Sequence, residues 1–379
     1  MSQRPRRLAS RSGMVPATIE ETPMDCVAIA PGATFDEAAS PTAFEIGWDY
    51  ARHRLVPPAD HLHAGHPVRQ GWEAGQAVFG TRTREATPHV RKWLQLRLGA
   101  WLRGKAFEGV GVTPAFLRRI DVPVCPITGE VLTHGTGRPS DASVDRVNNA
   151  AGYAVGNLAV MSRRANEAKS DYAWDDAARF ASQVAPGRLG TLDGLDASQW
   201  ARLSVLMSFA TPLPHATAAS LPLLLLPPPR LRVLNPAQAL QVALTSRFLQ
   251  SGQPARVDRV AAWFPKPARS ALLPLMTLLL ARRIAAGPCP SWQALVSAMT
   301  QAWAEPKVLS LWRSTALALT PEDCERIVRR LVAQRLAPPT LRCVPVERAT
   351  EGWALATGGR MQPDMPIWTV PRAHLPAAA

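Results

Sequence analysis

Ser143-Val144-Asp145-Arg146-Val147-Asn148-Asn149, then Gly152-Tyr153, then Gly156-Asn157-Leu158-Ala159-Val160, then Arg164-Ala165-Asn166-Glu167-Ala168-Lys169: this run decides the fold. Ala142 to Val147 alternates in the manner of a short strand. Asn148 to Gly152 has turn chemistry, since Asn and Gly accept backbone conformations that other residues resist. Asn157 to Met161 reads as a second strand, and from Arg163 onward the pattern opens a helix. A β-hairpin backed by one helix is a compact scaffold for a single metal ion. The first strand supplies one ligand, the helix another, and a polar residue on the second strand ties the loop.

These residues resemble the HNH family of nucleases, whose fold is a ββα-metal hairpin. In that family the first strand ends in Asp-His and the second begins Asn-Leu. The helix then carries a His nine residues after that Asn, and a Lys three residues later. Here Asp145-Arg146 takes the Asp-His place, Asn157-Leu158 the Asn-Leu place, Asn166 the helix ligand place and Lys169 the lysine place. The variant pattern is similar to a branch common in phages and bacteria, and it covers about fifty of the 379 residues.

The resemblance implies a metal-dependent endonuclease that hydrolyses DNA phosphodiester bonds with one divalent ion, Mg²⁺ or Mn²⁺. Asp145 and Asn166 are the implied metal ligands, both oxygen donors suited to a hard cation. Asn157 is implied to hold the loop that presents the general base. That base is normally the His whose place Arg146 takes. A guanidinium stays protonated, so Arg146 can clamp a phosphate but cannot abstract a proton. His134, in the Gly-rich loop Thr133-His134-Gly135-Thr136-Gly137, is the nearest candidate for a substitute base, although the loop context favours reading it as an exposed loop histidine. The departure at Arg146 leaves a second reading open, a catalytically silent nucleic-acid-binding or assembly protein on the same scaffold. A third is an interaction protein whose helical C-terminal region carries the function.

Charge points the same way. The 379 residues carry 43 Lys+Arg against 29 Asp+Glu, a formal charge of +14. Only Lys92, Lys105, Lys169, Lys266 and Lys307 are lysines, so arginine, with its bidentate fork for phosphate, supplies most of the excess. Charged residues make up 19% and hydrophobic ones 47%, which excludes a disordered polycation. From charge an anionic partner follows, nucleic acid first and a membrane surface second; the resemblance narrows this to DNA, double-stranded first. The local patches are a helix over 89–104 with Arg91 and Lys92, and the arginines Arg138, Arg163 and Arg164 beside the hairpin, with Lys169 on its helix.

The apolar runs Leu221–Leu226 and Ala271–Ala281 are too short for a span of about 20 residues, so no membrane partner is expected. Cys26, Cys125, Cys289, Cys324 and Cys343 are scattered and never form a CxxC pair. Neither a disulfide framework nor a structural zinc is expected, and a reduced cytoplasmic protein is the default. Cys125 reads as core. Asp60-His61, His63 and His66, set among prolines, read as a surface loop.

The expected class is α+β, with the small hairpin-helix module in mid-chain between a mixed, partly helical N-terminal region and a mainly helical C-terminal one. The expected divisions are a flexible basic tail over 1–40, a mixed region over 41–119, the module over 120–175, helices over 195–340 and an irregular tail over 341–379. Prolines mark the breaks. Helices are expected near 196–209, 236–251, 255–264, 268–285, 291–304 and 321–336.

Overall fold

Proline opens many of the helices, because its fixed φ suits the first turn and its missing N–H is not needed there. In this computed structural model it stands in the first turn of α1 (Pro41–Arg52), α2 (Pro67–Phe79), α3 (Pro88–Leu102) and α4 (Pro114–Ile120). Ser40, Thr87 and Thr113 add side-chain caps to α1, α3 and α4. The structure describes residues 40–185, 187, 190–250, 257–341 and 344–362. The expected basic tail, but for its last residue, and the low-complexity end lie outside the described residues.

The fold is mixed α and β and mostly helical. The one sheet among the described residues pairs β1 (Ala142–Arg146) antiparallel to β2 (Leu158–Ser162), and α5 (Arg163–Lys169) follows directly. Further helices are α6 (Trp174–Val184), α7 (Ala197–Phe209), α8 (His215–Ser220), α9 (Pro236–Leu249), α10 (Val257–Ala261) and α11 (Lys266–Ala285). After them come α12 (Trp292–Ala304), α13 (Pro306–Leu317), α14 (Pro321–Ala333) and the single turn α15 (Val346–Ala349). The helix expected over 255–264 is only the short α10, and α13 stands where no helix was expected. No helix among the described residues is long and apolar enough to cross a membrane.

Two hydrophobic cores share α3 as a common wall. Val90, Leu94, Leu98 and Trp101 face α1 and α2, where they meet Ala43, Ile46, Tyr50 and Val68. Leu96 and Ala100 point the other way, into a core that runs through the hairpin and the C-terminal helices as far as Trp353. A helix buried on two sides shows weak amphipathic contrast. In the larger core α9 is buried along its whole length and packs against α14, α11 and α12.

The segment expected to be an irregular tail is packed over 344–362. Trp353 is fully buried, its Nε1 donates to the Val155 carbonyl at 3.0 Å, and its own carbonyl accepts from Gly152 N at 2.7 Å. Ala106 N donates to Gly359 O and Met361 N to Gly104 O, both at 2.9 Å, so this segment is stitched to the chain just after α3. Its indole and amides find their partners near the hairpin loop, which is why a region without periodicity is still ordered.

The crossing of α1 and α2 depends on glycine. A Cβ at Gly47 would lie 1.9 Å from Val68 O, and one at Gly71 1.9 Å from Phe44 O. The helix backbones touch where an alanine could not fit. Gly47→Ala and Gly71→Ala are each expected to lower stability by about 1–3 kcal/mol, the usual penalty of overpacking. Gly190→Ala, with open space around it, is the control that should leave the denaturation midpoint in place.

Candidate functional site

The hairpin and helix α5 bring two short polar rows together. Side chains two apart on a strand share a face, so Ser143 and Asp145 point the same way from β1. Residues three apart on a helix are neighbours, which sets Asn166 beside Lys169 on α5. Ser162 ends β2 and caps α5 by accepting from Ala165 N at 3.3 Å, so the chain turns from strand to helix without a loop. The two rows then meet. Asn166 Nδ2 donates to Ser143 Oγ at 3.0 Å, and Lys169 Nζ lies 2.8 Å from Asp145 Oδ2.

Lys169 is fully buried, and Asp145 is only 14% exposed. An isolated ammonium at such depth is costly unless it is paired and hydrogen-bonded. Asp145 supplies the countercharge, and Asn149 Oδ1 accepts a hydrogen bond from Nζ at 2.7 Å. The approach to Asp145 is off the hydrogen-bond direction, so Oδ2 is held by charge without an aligned donor. Asn149 is itself anchored, its Nδ2 donating to Ser170 O at 3.2 Å and Tyr172 O at 3.0 Å. Carboxylate, ammonium and amide thus lock β1, the hairpin loop and the end of α5 into one unit.

Asp145 and Asn166, the two ligand types expected from the sequence, are brought to the same face. A divalent ion nevertheless fits this donor set poorly. The Asp145 carboxylate already faces a buried cation, and charges of +2 and +1 about 4 Å apart repel by on the order of 8 kcal/mol at an effective dielectric of about 20. Among the described residues no cluster of three His, Cys, Asp or Glu side chains is arranged to hold a metal.

The loop between the strands is held by Asn157 and Arg146. Asn157, fully buried, accepts from Asn148 N at 2.8 Å and donates to Asn148 O at 3.1 Å and Gly152 O at 3.0 Å. Arg146 Nη1 donates to Asn149 O at 3.1 Å and Ala151 O at 2.9 Å, and its guanidinium lies 5.3 Å from the Tyr153 ring centroid. One edge of Arg146 is therefore engaged with the loop, while its Nε is buried without a partner.

At the start of β1 a second unit is organised by Asp141. Burial disfavours its ionised form, but the Thr133 and Thr136 hydroxyls and the Gly137 and Thr136 amides outweigh that and hold its carboxyl below the ordinary value. Arg163 N donates to Asp141 O and Arg164 N to Pro139 O, which gathers Arg138, Arg163 and Arg164 around this loop. Two of them have acidic neighbours, Arg163 at Glu167 and Arg164 at Glu130, each at 3.3 Å. Arg91 on α3 is exposed and Lys92 half-buried. Burial lowers the Lys92 ammonium, while Asp141 acts to raise it. His134 is exposed and follows Thr133, which bridges to Asp141 four residues before Asp145. At about 3.3 Å per strand residue that anchors it roughly 13 Å from Asp145. His134 thus follows a residue bridged to the Asp141 end of β1, whereas Asp145 lies toward the other end with Lys169.

The opposite end of β1 carries positive charge with less compensation. Lys105 pairs with Arg360 in an isolated bridge, and Arg103 Nη2 donates to the Tyr153 hydroxyl at 2.8 Å. Burial lowers the Lys105 ammonium, and Arg146, Arg360 and Arg103 lower it further, each a like charge. Arg103 and Arg360 are exposed. Nothing in the local sequence announces this group: Arg103 falls at the end of the basic helix expected over 89–104 and Lys105 just beyond it, and no spacing connects Arg360 to them.

Cys125 lies in the core as expected, with Sγ accepting from Ser162 N at 3.3 Å and Thr128 N at 3.5 Å. In the histidine loop Asp60 and His63 are exposed as expected, and His66 is the exception. His66 is buried, and its Nδ1 accepts from Val68 N at 3.2 Å to cap α2. Its ring meets those of His61, His63 and Trp101.

Asp145→Asn and Lys169→Met should each cost about 3–5 kcal/mol, because each leaves the other group buried and unpaired. The double variant should cost clearly less than the sum, as read by urea denaturation in a double-mutant cycle. For Asp141 the folded carboxyl titrates below its unfolded value. Its stabilisation is therefore present at neutral pH and is lost as pH falls below about 4. Asp141→Asn should lower the melting temperature at pH 7, with the gap to wild type closing in that acid range.

No family model, curated protein or solved structure matches this chain, so its function rests on the residues and distances above.

Proposed function

We propose that the chain binds DNA through an HNH-like hairpin-helix module in which the Lys169 ammonium takes the place of the metal ion, leaving binding without cleavage. The observation that carries this reading is the fully buried Lys169, 2.8 Å from the carboxylate that resembles the family's metal ligand. The general-base position is filled by Arg146, which stays protonated and is hydrogen-bonded to the loop. Both replacements turn groups that would act on water into groups that hold structure or attract phosphate.

Affinity would come from the cationic group at Arg103, Lys105, Arg146 and Arg360. It lies beside the hairpin loop and is suited to contacts with a phosphate backbone. Arg91, Lys92, Arg138, Arg163 and Arg164 would extend the positive surface, more weakly where Glu130, Glu167 and Asp141 offset them. Such contacts fix position along a duplex without reading its sequence.

A second reading, the Mg²⁺- or Mn²⁺-dependent endonuclease, is favoured by one observation: Asn166 reaches Ser143, which shares the Asp145 face of β1. One pair of measurements separates the two. The binder predicts salt-sensitive affinity for duplex DNA and no nicking of supercoiled plasmid in either metal. Lys105→Ala and Arg360→Ala should each reduce the slope of log K against log salt by about 1. Nicking abolished by both Asp145→Ala and Asn166→Ala would establish the nuclease instead. No DNA binding at low salt would defeat both and leave a protein-interaction role for the C-terminal helices.

A further inference from the structure

Helix α9 ends in a buried cation that the hairpin does not use. Arg247 is 3% exposed, and its Nη1 is buried with no hydrogen-bond partner. Burial alone acts on its guanidinium, pulling it below the ordinary arginine value, with no carboxylate to offset it. The helix C-terminus favours a cation there, but that effect is small beside the penalty of burying an unpaired ion. A buried polar group left unsatisfied calls for an explanation.

Arg247 lines a cavity of about 280 Å³ together with Arg259, Arg335, Gln250, Gln334 and Trp263. Arg259 and Arg335 are exposed, so one buried and two exposed guanidiniums border the same space. Among the described residues, no Asp or Glu borders it. Arg335 is held at φ 56°, a left-handed conformation that costs a non-glycine residue energy, and its carbonyl accepts from Gln250 Nε2 at 3.3 Å. Arg330 covers the Trp263 ring at 4.6 Å from the centroid, and Arg326 Nη1 donates to Trp263 O at 3.3 Å. That wall is therefore braced from outside.

We propose that this cavity between α9, α10 and α14 is a binding site for a phosphate-bearing ligand of mononucleotide size. Arg247 holds the phosphate from the floor, and Arg259 and Arg335 close on it from the rim. Three guanidinium forks suit a dianion with several acceptor oxygens. The volume lies near the lower end of small-ligand pockets, room for more than a bare phosphate. Gln250 and Gln334 supply amides for the remainder, and Trp263 an aromatic edge. The site does not depend on the DNA-binding reading of the hairpin. The phosphate could belong to a free nucleotide or to the 5′ end of a strand.

Isothermal titration of the full chain with adenosine 5′-monophosphate, inorganic phosphate and adenosine tests the site. Adenosine monophosphate should bind more tightly than phosphate, and adenosine should not bind. Arg259→Ala and Arg335→Gly should each weaken nucleotide binding at least tenfold, and Arg247→Met should abolish it. Without ligand, Arg247→Met should melt no lower than wild type, because it removes an unpaired buried charge. Competition by a 5′-phosphorylated oligonucleotide, and not by its 5′-hydroxyl form, assigns the ligand to a strand end; no competition by either assigns it to a free nucleotide. The proposal is overturned if neither phosphate compound binds at millimolar concentration. It is equally overturned if Arg259→Ala and Arg335→Gly leave binding unchanged, or if unliganded Arg247→Met melts well below wild type.

Discussion

A single buried ammonium holds the centre of this protein in register. Lys169 reaches from the last turn of α5 to Asp145 on β1 and Asn149 in the loop, with no water-exposed alternative for its charge. If the helix shifts by a turn, the ammonium loses both partners inside the core. The geometry downstream follows from this. With Asn149 fixed, its carbonyl receives Arg146, and Arg146 lies over Tyr153, whose hydroxyl binds Arg103. A chain of polar contacts thus runs from α5 to the segment that follows α3.

The net charge of +14 is unevenly neutralised, and the pattern has a physical meaning. Arg97, which the sequence sets on a basic helix, is buried against Glu45 and Asp49 and serves to fasten α3 to α1. Arg163, Arg164 and Arg282 have carboxylates close by. Among the described residues, cations without such a partner occur in many places, and two groups of them stand close together, one beside the hairpin loop and one at the end of α9. Exposed ion pairs contribute little to stability, so the informative arginines are the unpaired ones.

Much of the helical framework was legible in the sequence. The spacing of Val90, Leu94, Leu98 and Trp101 marks α3, and Thr320-Pro321 with Asp323 marks the start of α14, where Thr320 does cap the helix. The hairpin was legible from alternation and from Asn-rich turn chemistry. What stayed hidden was governed by contacts distant in sequence. Gly47, Gly71 and Gly75 look like helix breakers, yet they lie inside α1 and α2 at a close crossing. Pro306 reads as a break but opens α13. At the site, residue spacing could put Asp145, Asn166 and Lys169 near one another. It could not say that the lysine would point inward to the carboxylate, because a burial direction is a property of the packed core and not of a motif. Arg247 was hidden for the same reason, as one basic residue on a helix that turns out to be enclosed on all sides.

The stitch between Trp353 and the hairpin loop bears on the order in which the molecule is assembled. Val155 and Trp353 are 198 positions apart, and Arg360 reaches Lys105 only through that same segment. During synthesis the hairpin and α5 leave the ribosome well before the strip of chain that completes their cationic neighbour. The nascent protein therefore passes through a stage in which the polar lock around Lys169 can be formed while the surface beside it is still short of one arginine.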